Sequence, residues 1–284
     1  MKILHTADIH LREQGDERWQ ALQGLIALGQ AEGIALFVIS GDLFDHGINA
    51  EELRPSLRAL FSGTGFKICL IPGNHDSDAY AGGMYFGDDT FIITDVNKPF
   101  VHNDVIVWGI PFAPTAGQRL LQQLHALAPH MSPDRKHILL YHGELLDAFF
   151  SRTDFGDEGE ERYMPVRLSY FDGLPVAYVL AGHFHKHFDV RQLKQGGYFV
   201  YPGSPVAITK RETGRRMINL FEVGKPPQEH LLDTPYFEEV VIVCDPFGGK
   251  DPLGMIEERF DALPKNARAI LTVQGFINGE AMGM

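Results

Sequence analysis

The sequence predicts an α/β fold with a largely parallel sheet, and three observations carry the prediction. Apolar runs of strand length alternate with helix-period segments between Met1 and Ile71, the pattern of right-handed crossover units. Five short segments rich in His, Asp and Asn each follow a predicted strand, where the loops of such a sheet converge. Apolar residues make up 44% and charged residues 22% of 284, which excludes a disordered tail, a collagen-like repeat and a disulfide scaffold. This length accommodates one large domain and a small one.

Met1–Ala7 reads as an apolar strand, and Arg18–Glu32 as a helix from the spacing of Trp19, Leu22, Ile26 and Leu28. Leu36–Ser40 is the second strand. Ala50–Phe61 is a helix with Asn49 as N-cap, although Pro55 weakens its first turns. Lys67–Ile71 is the third strand. Beyond it, Ile92–Thr94, Val105–Ile110, His137–Tyr141 and Val176–Ala181 read as strands and Gly117–Leu127 as a helix. Asp154–Arg162 is an acidic, glycine-containing loop expected to be solvated. Phe188–Leu193, Tyr198–Tyr201 and Met217–Val223 are expected to form an antiparallel finishing set. Gly224-Lys225-Pro226-Pro227 reads as a linker. Val240–Cys244, Ile256–Leu263 and Ala269–Val273 then give a strand–helix–strand unit. It is too small to bury much of a core alone and is expected to lean on the first domain. The predicted division is 1–229 and 230–284.

No run of 18 apolar residues exists, and the first residues lack a signal peptide's apolar region, so a cytoplasmic location without a membrane partner is expected. Cys69 and Cys244 lie in apolar runs and read as buried free thiols. The net charge of −12 counts against a non-specific nucleic-acid binder, yet bound divalent metals and a local basic patch can reverse the field near a site. Residues 186–216 hold seven Lys and Arg against two acids. Within them Lys210, Arg211, Arg215 and Arg216 are candidate phosphate contacts, the bland alternative being a solvated hairpin edge. No stripe of aromatics interleaved with bases argues for a single-strand stacking platform.

Five of the thirteen histidines fall in the segments that follow the strands. These segments are Asp8-Ile9-His10, Gly41-Asp42-Leu43-Phe44-Asp45, Gly73-Asn74-His75-Asp76, His142-Gly143 and Gly182-His183-Phe184-His185. Asp8, His10, Asp42, Asn74, His142, His183 and His185 supply enough nitrogen and oxygen donors for two divalent ions. Asp42 is the natural bridge, because a carboxylate can bind one ion with each oxygen. The donor set contains no cysteine, which disfavours a structural Zn site and favours Mn, Fe or catalytic Zn, with Mg left open. Glycines beside the ligands permit sharp turns and close backbone approach. Two ions about 3.5–4 Å apart suit in-line displacement at phosphorus, with a hydroxide held between them as the attacking group. His75, not needed as a ligand, is the candidate general acid for the leaving oxygen, and Asp45 is placed to hold it charged. Any one of these segments is a weak signal alone; all five, in this order, each at a strand end, are hard to obtain by chance.

The set resembles the calcineurin-like metallophosphoesterase superfamily, with its pattern Asp-x-His, Gly-Asp, Gly-Asn-His, His and Gly-His-x-His over about residues 1–223. The resemblance implies a four-layer α/β/β/α sandwich and a dinuclear centre. One ion would be held by Asp8, His10, Asp42 and His185, and the other by Asp42, Asn74, His142 and His183, with His75 as catalytic histidine and Asp45 as its orienting carboxylate. Leu4–His10, Ser40–Asp45, Ile71–Asp76 and Tyr201-Pro202-Gly203-Ser204-Pro205 look most like the DNA-repair nuclease branch, the bacterial SbcD type and its counterparts. Asp45 is nearer the bacterial pattern, since other members often carry His there. The unit after residue 230 sits where that branch carries its capping domain. The branch implies Mn-dependent nuclease activity on DNA, a homodimer and an SMC-like ATPase partner. No amphipathic helix suited to docking that ATPase follows, and Val273–Met284 has no closing element, which reads as a truncated C-terminus.

The expected function is therefore a dinuclear-metal phosphodiesterase, a Mn-dependent DNA exonuclease or endonuclease of repair type. The alternative is a phosphodiesterase or phosphatase acting on a small phosphoester, with the same metals and His75. A non-catalytic scaffold ranks last, because it should lack ligands and none is missing here.

Overall fold

In the computed structural model the described residues are 1–80, 82–114, 117–147, 163–247, 251–277 and 279. The acidic segment Asp154–Arg162 lies outside them.

Two six-stranded sheets form the centre. The first contains β1 (Lys2–Thr6), β2 (Leu36–Ser40), β3 (Lys67–Ile71) and β4 (Thr90–Ile92), all parallel, as the strand–helix alternation requires. The second contains β5 (Phe100–His102), β6 (Val105–Ile110), β7 (Lys136–His142), β8 (Val176–Gly182), β9 (Asp189–Gln192) and β10 (Tyr198–Tyr201). Their order is β5-β6-β7-β8-β10-β9, parallel from β6 through β8 to β10. The fourth strand lies slightly earlier than the predicted Ile92–Thr94, and β5 is too short to carry an alternation signal.

The predicted finishing set divides. β9 and β10 form an antiparallel hairpin in the second sheet, whereas β11 (Met217–Glu222) crosses to the first sheet and pairs antiparallel with β1. β12 (Glu229–Leu231) pairs antiparallel with β11 on the sheet edge. Gly224–Pro227 therefore turns a hairpin within the first sheet, and a division at 229/230 falls inside β12. Each peptide here finds its ladder partner locally, which a composition shift does not reveal.

α1 (Glu17–Glu32) starts at Asp16, whose side chain accepts from Trp19 N, and stops at Gly33 in the left-handed region. α2 (Ala50–Phe61) runs through Pro55, its sixth residue, whose missing N–H leaves the Glu51 carbonyl without its i→i−4 donor. Asn49 occupies the N-cap position but makes no side-chain cap; its amide donates to Glu52 Oε1 at 2.9 Å instead. Trp19, Leu22, Leu25, Leu53, Leu57 and Phe61 bury these helices on the outer face of the first sheet. α3 (Gly117–Leu127) covers the second sheet through Leu120, Leu124 and Leu127. Between the sheets Ile3, Val38, Ile71, Val107, Leu140 and Leu180 form a continuous apolar layer. The result is the α/β/β/α sandwich, held mainly by burial of both sheet faces.

β13 (Tyr236–Cys244), α4 (Pro252–Asp261) and β14 (Ala267–Gly275) form the small C-terminal unit, with the two strands parallel and Val240, Ile242 and Cys244 packed toward Met255 and Ile256. It touches the main body through Gly214 N donating to Phe237 O at 2.8 Å and through Arg268 on Glu17. Cys69 and Cys244 are buried free thiols. Among the described residues no helix is long and apolar enough to cross a membrane.

Candidate metal centre

The carboxyl ends of β1, β2, β3, β7 and β8 meet at one end of the sandwich. The loops after β1 and β2 continue to pair beyond the sheet: Ile9 N and His10 N donate to Asp42 O, Leu11 N to Leu43 O, and Asp45 N to Leu11 O. This extension fixes Asp8, His10, Asp42 and Asp45 as one unit. Ser40 Oγ donates to Leu180 O at 2.9 Å and joins the two sheets at the same level.

Holding the side chains together costs backbone strain. Among the described residues six non-glycine positions have φ in the left-handed region, and four of them are Asp8, His10, Asp42 and His183. Strain concentrated on candidate ligands is the pattern expected where a site overrides local preference. Gly41, at φ +95°, lies against the His142 ring, where a Cβ would overlap the imidazole; a Cβ on Gly73 would overlap the Asp42 carboxylate.

Asp8, Asp42, His10, His142, His183 and His185 are buried, while Asn74 is half-buried. One cluster comprises Asp8, His10 and His185; another comprises Asp8, Asp42 and His142. His10 Nε2 is 3.7 Å and His142 Nε2 is 3.2 Å from Asp42 Oδ2, so Asp42 stands between the groups. Asn74 Oδ1 is 2.9 Å from His142 Nε2. His183 joins less directly. Its backbone N–H donates to both Asp8 oxygens at 3.0 Å, and its ring lies 5.5 Å from that of His142.

The donor chemistry fits a cation. His142 Nδ1 is 2.7 Å from Ser40 O, which can only accept, so Nδ1 carries a proton. In the neutral ring Nε2 then offers a lone pair toward Asn74 Oδ1 and the Asp42 carboxylate, three acceptors in contact. Such a meeting is stable only around a positive charge. Burial opposes charge on His142, yet Asp42 and Asp8 outweigh it and raise its pKa to about 10. Burial likewise opposes charge on Asp42, and the imidazoles of His142, His10 and His75 hold its carboxyl well below the usual range. His10 Nε2 is buried without a hydrogen-bond partner among the described residues.

His75 falls in a third group, with His10 and Asp45. Its Nδ1 is 3.5 Å from Asp45 Oδ1, and its backbone N–H donates to Asp42 Oδ1 at 2.9 Å. Its side chain is 20% exposed, against 1% for His10, so it faces the cleft.

Residues 1–187 match the sequence profile of the family described as Calcineurin-like phosphoesterase. The chain belongs to that family. It is accordingly a metal-dependent phosphoesterase, and its His and Asp clusters suit two divalent ions. The chain is 25% identical over 233 residues to the DNA double-strand break repair protein Mre11 of Saccharolobus solfataricus, covering 75% of this chain and 56% of that protein. It thus spans little more than half the length of that curated relative. Two solved structures share the fold at a TM-score of 0.50. TT1561 of Thermus thermophilus is 14% identical, with 76% of this chain and 92% of that chain covered. A dimetal phosphatase from Danio rerio is 11% identical, with 77% and 91% covered.

Not every predicted contact of this metallophosphoesterase survives. Arg216 is 1% exposed, and all five of its N–H groups are engaged: Nε with Ser204 O, Nη1 with Lys186 O and Glu212 O, Nη2 with His185 O and Ser204 Oγ. It is a buried clamp, not a phosphate contact, because no donor remains for a ligand. Lys210, Arg211 and Arg215 are exposed, Arg215 also donating to Leu232 O.

Three residues of the site went unread in the sequence. Arg18, buried on α1, donates to His10 O and to Asp45 Oδ2; its signal is a cation on the helix's apolar face. Arg12, 62% exposed, also donates to Asp45 Oδ2, two residues beyond a candidate ligand. Asp76 accepts from Gly73 N at 2.7 Å, Phe44 N at 3.2 Å and Tyr80 Oη at 3.1 Å, lashing the third loop to the second. Burial and the Asp42 charge push its carboxyl up to about 7.

Proposed function

We propose that this phosphoesterase is a Mn-dependent DNA nuclease of repair type. The observation that carries the reading is the half-buried His75, backed by Asp45 at 3.5 Å and more exposed than the buried His10 that shares that carboxylate. A group so positioned can deliver a proton to a leaving oxygen without giving up a ligand. When bound, a pair of divalent ions supplies nucleophile activation and charge neutralisation at phosphorus. Asp8, His10, Asp42, Asn74, His142, His183 and His185 would hold them, Asp42 serving both. Donors of nitrogen and oxygen without thiolate suit Mn. His75 donates its proton to the departing oxygen while Asp45 stabilises the imidazolium.

Two features favour a polynucleotide over a small phosphoester. Arg12 presents an exposed guanidinium on the His75 side of the site, and Lys210, Arg211 and Arg215 are exposed cations for phosphates further along a strand. Similarity to a protein named as a DNA double-strand break repair protein supports the same class. The test is Mn²⁺-dependent cleavage of end-labelled double- and single-stranded DNA, beside bis-p-nitrophenyl phosphate, with His75→Ala as control. DNA degradation that disappears in the variant is the expected result. Hydrolysis of the small diester with DNA left intact overturns the nuclease reading in favour of a small-phosphoester enzyme.

A further inference from the structure

Glu212 is the lone acid in the basic run Lys210–Arg216, and it is fully buried. A buried carboxylate is costly unless its lone pairs are filled. Here Ile208 N donates at 2.8 Å, Thr209 N at 3.2 Å and the Thr209 hydroxyl at 3.3 Å. A further contact is His185 Nδ1, 3.3 Å from Oε1.

That contact reaches the metal centre. We infer that Glu212 is a positioning residue that holds His185 in the Nδ1–H tautomer and turns its Nε2 lone pair toward the ion, a role that rests on reading His185 as a ligand. A carboxylate only accepts, so the shared proton must sit on His185 Nδ1. Nε2 is then the lone-pair donor, and it lies 3.7 Å from Asp8 Oδ1 within the Asp8–His10–His185 cluster. A carboxylate behind a ligating imidazole fixes ring orientation and raises ligand basicity.

Arg216 completes the device from the other side. Its donors hold His185 O, Lys186 O and Ser204 O, so the backbone that carries the ligand is immobilised along with its ring. Since its five N–H groups are spent on carbonyls and on Ser204 Oγ, the direct donors to the Glu212 carboxylate among the described residues are His185, two backbone amides and the Thr209 hydroxyl. Glu212 thus serves His185 instead of closing a simple ion pair with Arg216.

The test is Mn²⁺ retention in the loaded protein under competition with a chelator, comparing wild type, Glu212→Gln and Glu212→Asp. In Glu212→Gln one of two ions should be released with affinity weakened about 10- to 100-fold, the second being held as in wild type. Glu212→Asp should restore part of the loss. Equal retention of both ions in Glu212→Gln overturns the inference. Should that variant fail to fold, ¹⁵N resonances of His185 in the metal-free wild type decide. An Nδ1–H tautomer supports the assignment and an Nε2–H tautomer refutes it. Neither readout involves DNA, so failure of the nuclease reading would leave this result standing.

Discussion

Asp45 Oδ1 stands 3.5 Å from Nδ1 of His75, and the same oxygen stands 3.5 Å from Nδ1 of His10. One carboxylate therefore backs both the proposed proton donor and a proposed metal ligand. Arg18 and Arg12 hold its other oxygen. Although burial works against its charge, His10, His75, Arg12 and Arg18 keep its carboxyl far below the usual range, so it is ionised throughout the working pH.

His75→Ala should retain both ions and lose about 10²- to 10⁴-fold in turnover of DNA, the worth of a positioned general acid. The loss should be smaller on bis-p-nitrophenyl phosphate, whose leaving group needs little protonation. Metal analysis together with the two rates checks this; loss of both ions in the variant would contradict the role.

Asp45→Asn should slow turnover about 10- to 100-fold and also loosen metal, because the charge behind His10 goes with that behind His75. Rates and metal content of the double variant with His75→Ala measure the sharing. It should fall below His75→Ala alone. Equality of the two would mean that Asp45 acts only through His75.

Gly41→Ala forces a side chain into φ +95° and against the His142 ring. A cost of about 1–3 kcal/mol in stability is expected, with weakened metal retention. Urea unfolding and chelator competition provide the measurements, and wild-type values in both would show that the approach of Gly41 to His142 is not required.

His5 is buried beside Ser40, its Nε2 3.1 Å from Ser40 Oγ, and burial lowers its pKa from 6.5 to about 3 against a smaller opposing bond to Ala181. Below pH 6.5 the unfolded chain binds a proton that the folded chain refuses until about pH 3. Stability is therefore complete above that window and falls as pH drops through it. Between pH 7 and 5 His5→Gln should escape about 2 kcal/mol of the wild type's loss, at about 1.36 kcal/mol per pH unit. Denaturant titrations of the metal-free forms at the two pH values test it; parallel pH dependence would show that His5 is charged in the fold.

The sequence by itself determined the parallel core of the first sheet and the chemistry of the site. Apolar runs such as Leu36–Ser40 encode burial locally, and motifs such as Asp8-Ile9-His10 and Gly73-Asn74-His75 carry their donor types within a few residues. Whatever depends on distant partners was decided only by the tertiary structure. β11 looks like its neighbours in sequence, but its pairing with β1 puts it in the other sheet. Arg216 reads as one more surface cation until burial and five carbonyl or hydroxyl acceptors make it internal. Glu212 and Arg18 reach their histidines from 27 and 8 residues away. Periodicity and spacing report neighbours along the chain, whereas hydrogen bonds and charge pairing across loops depend on where folding brings the chain back.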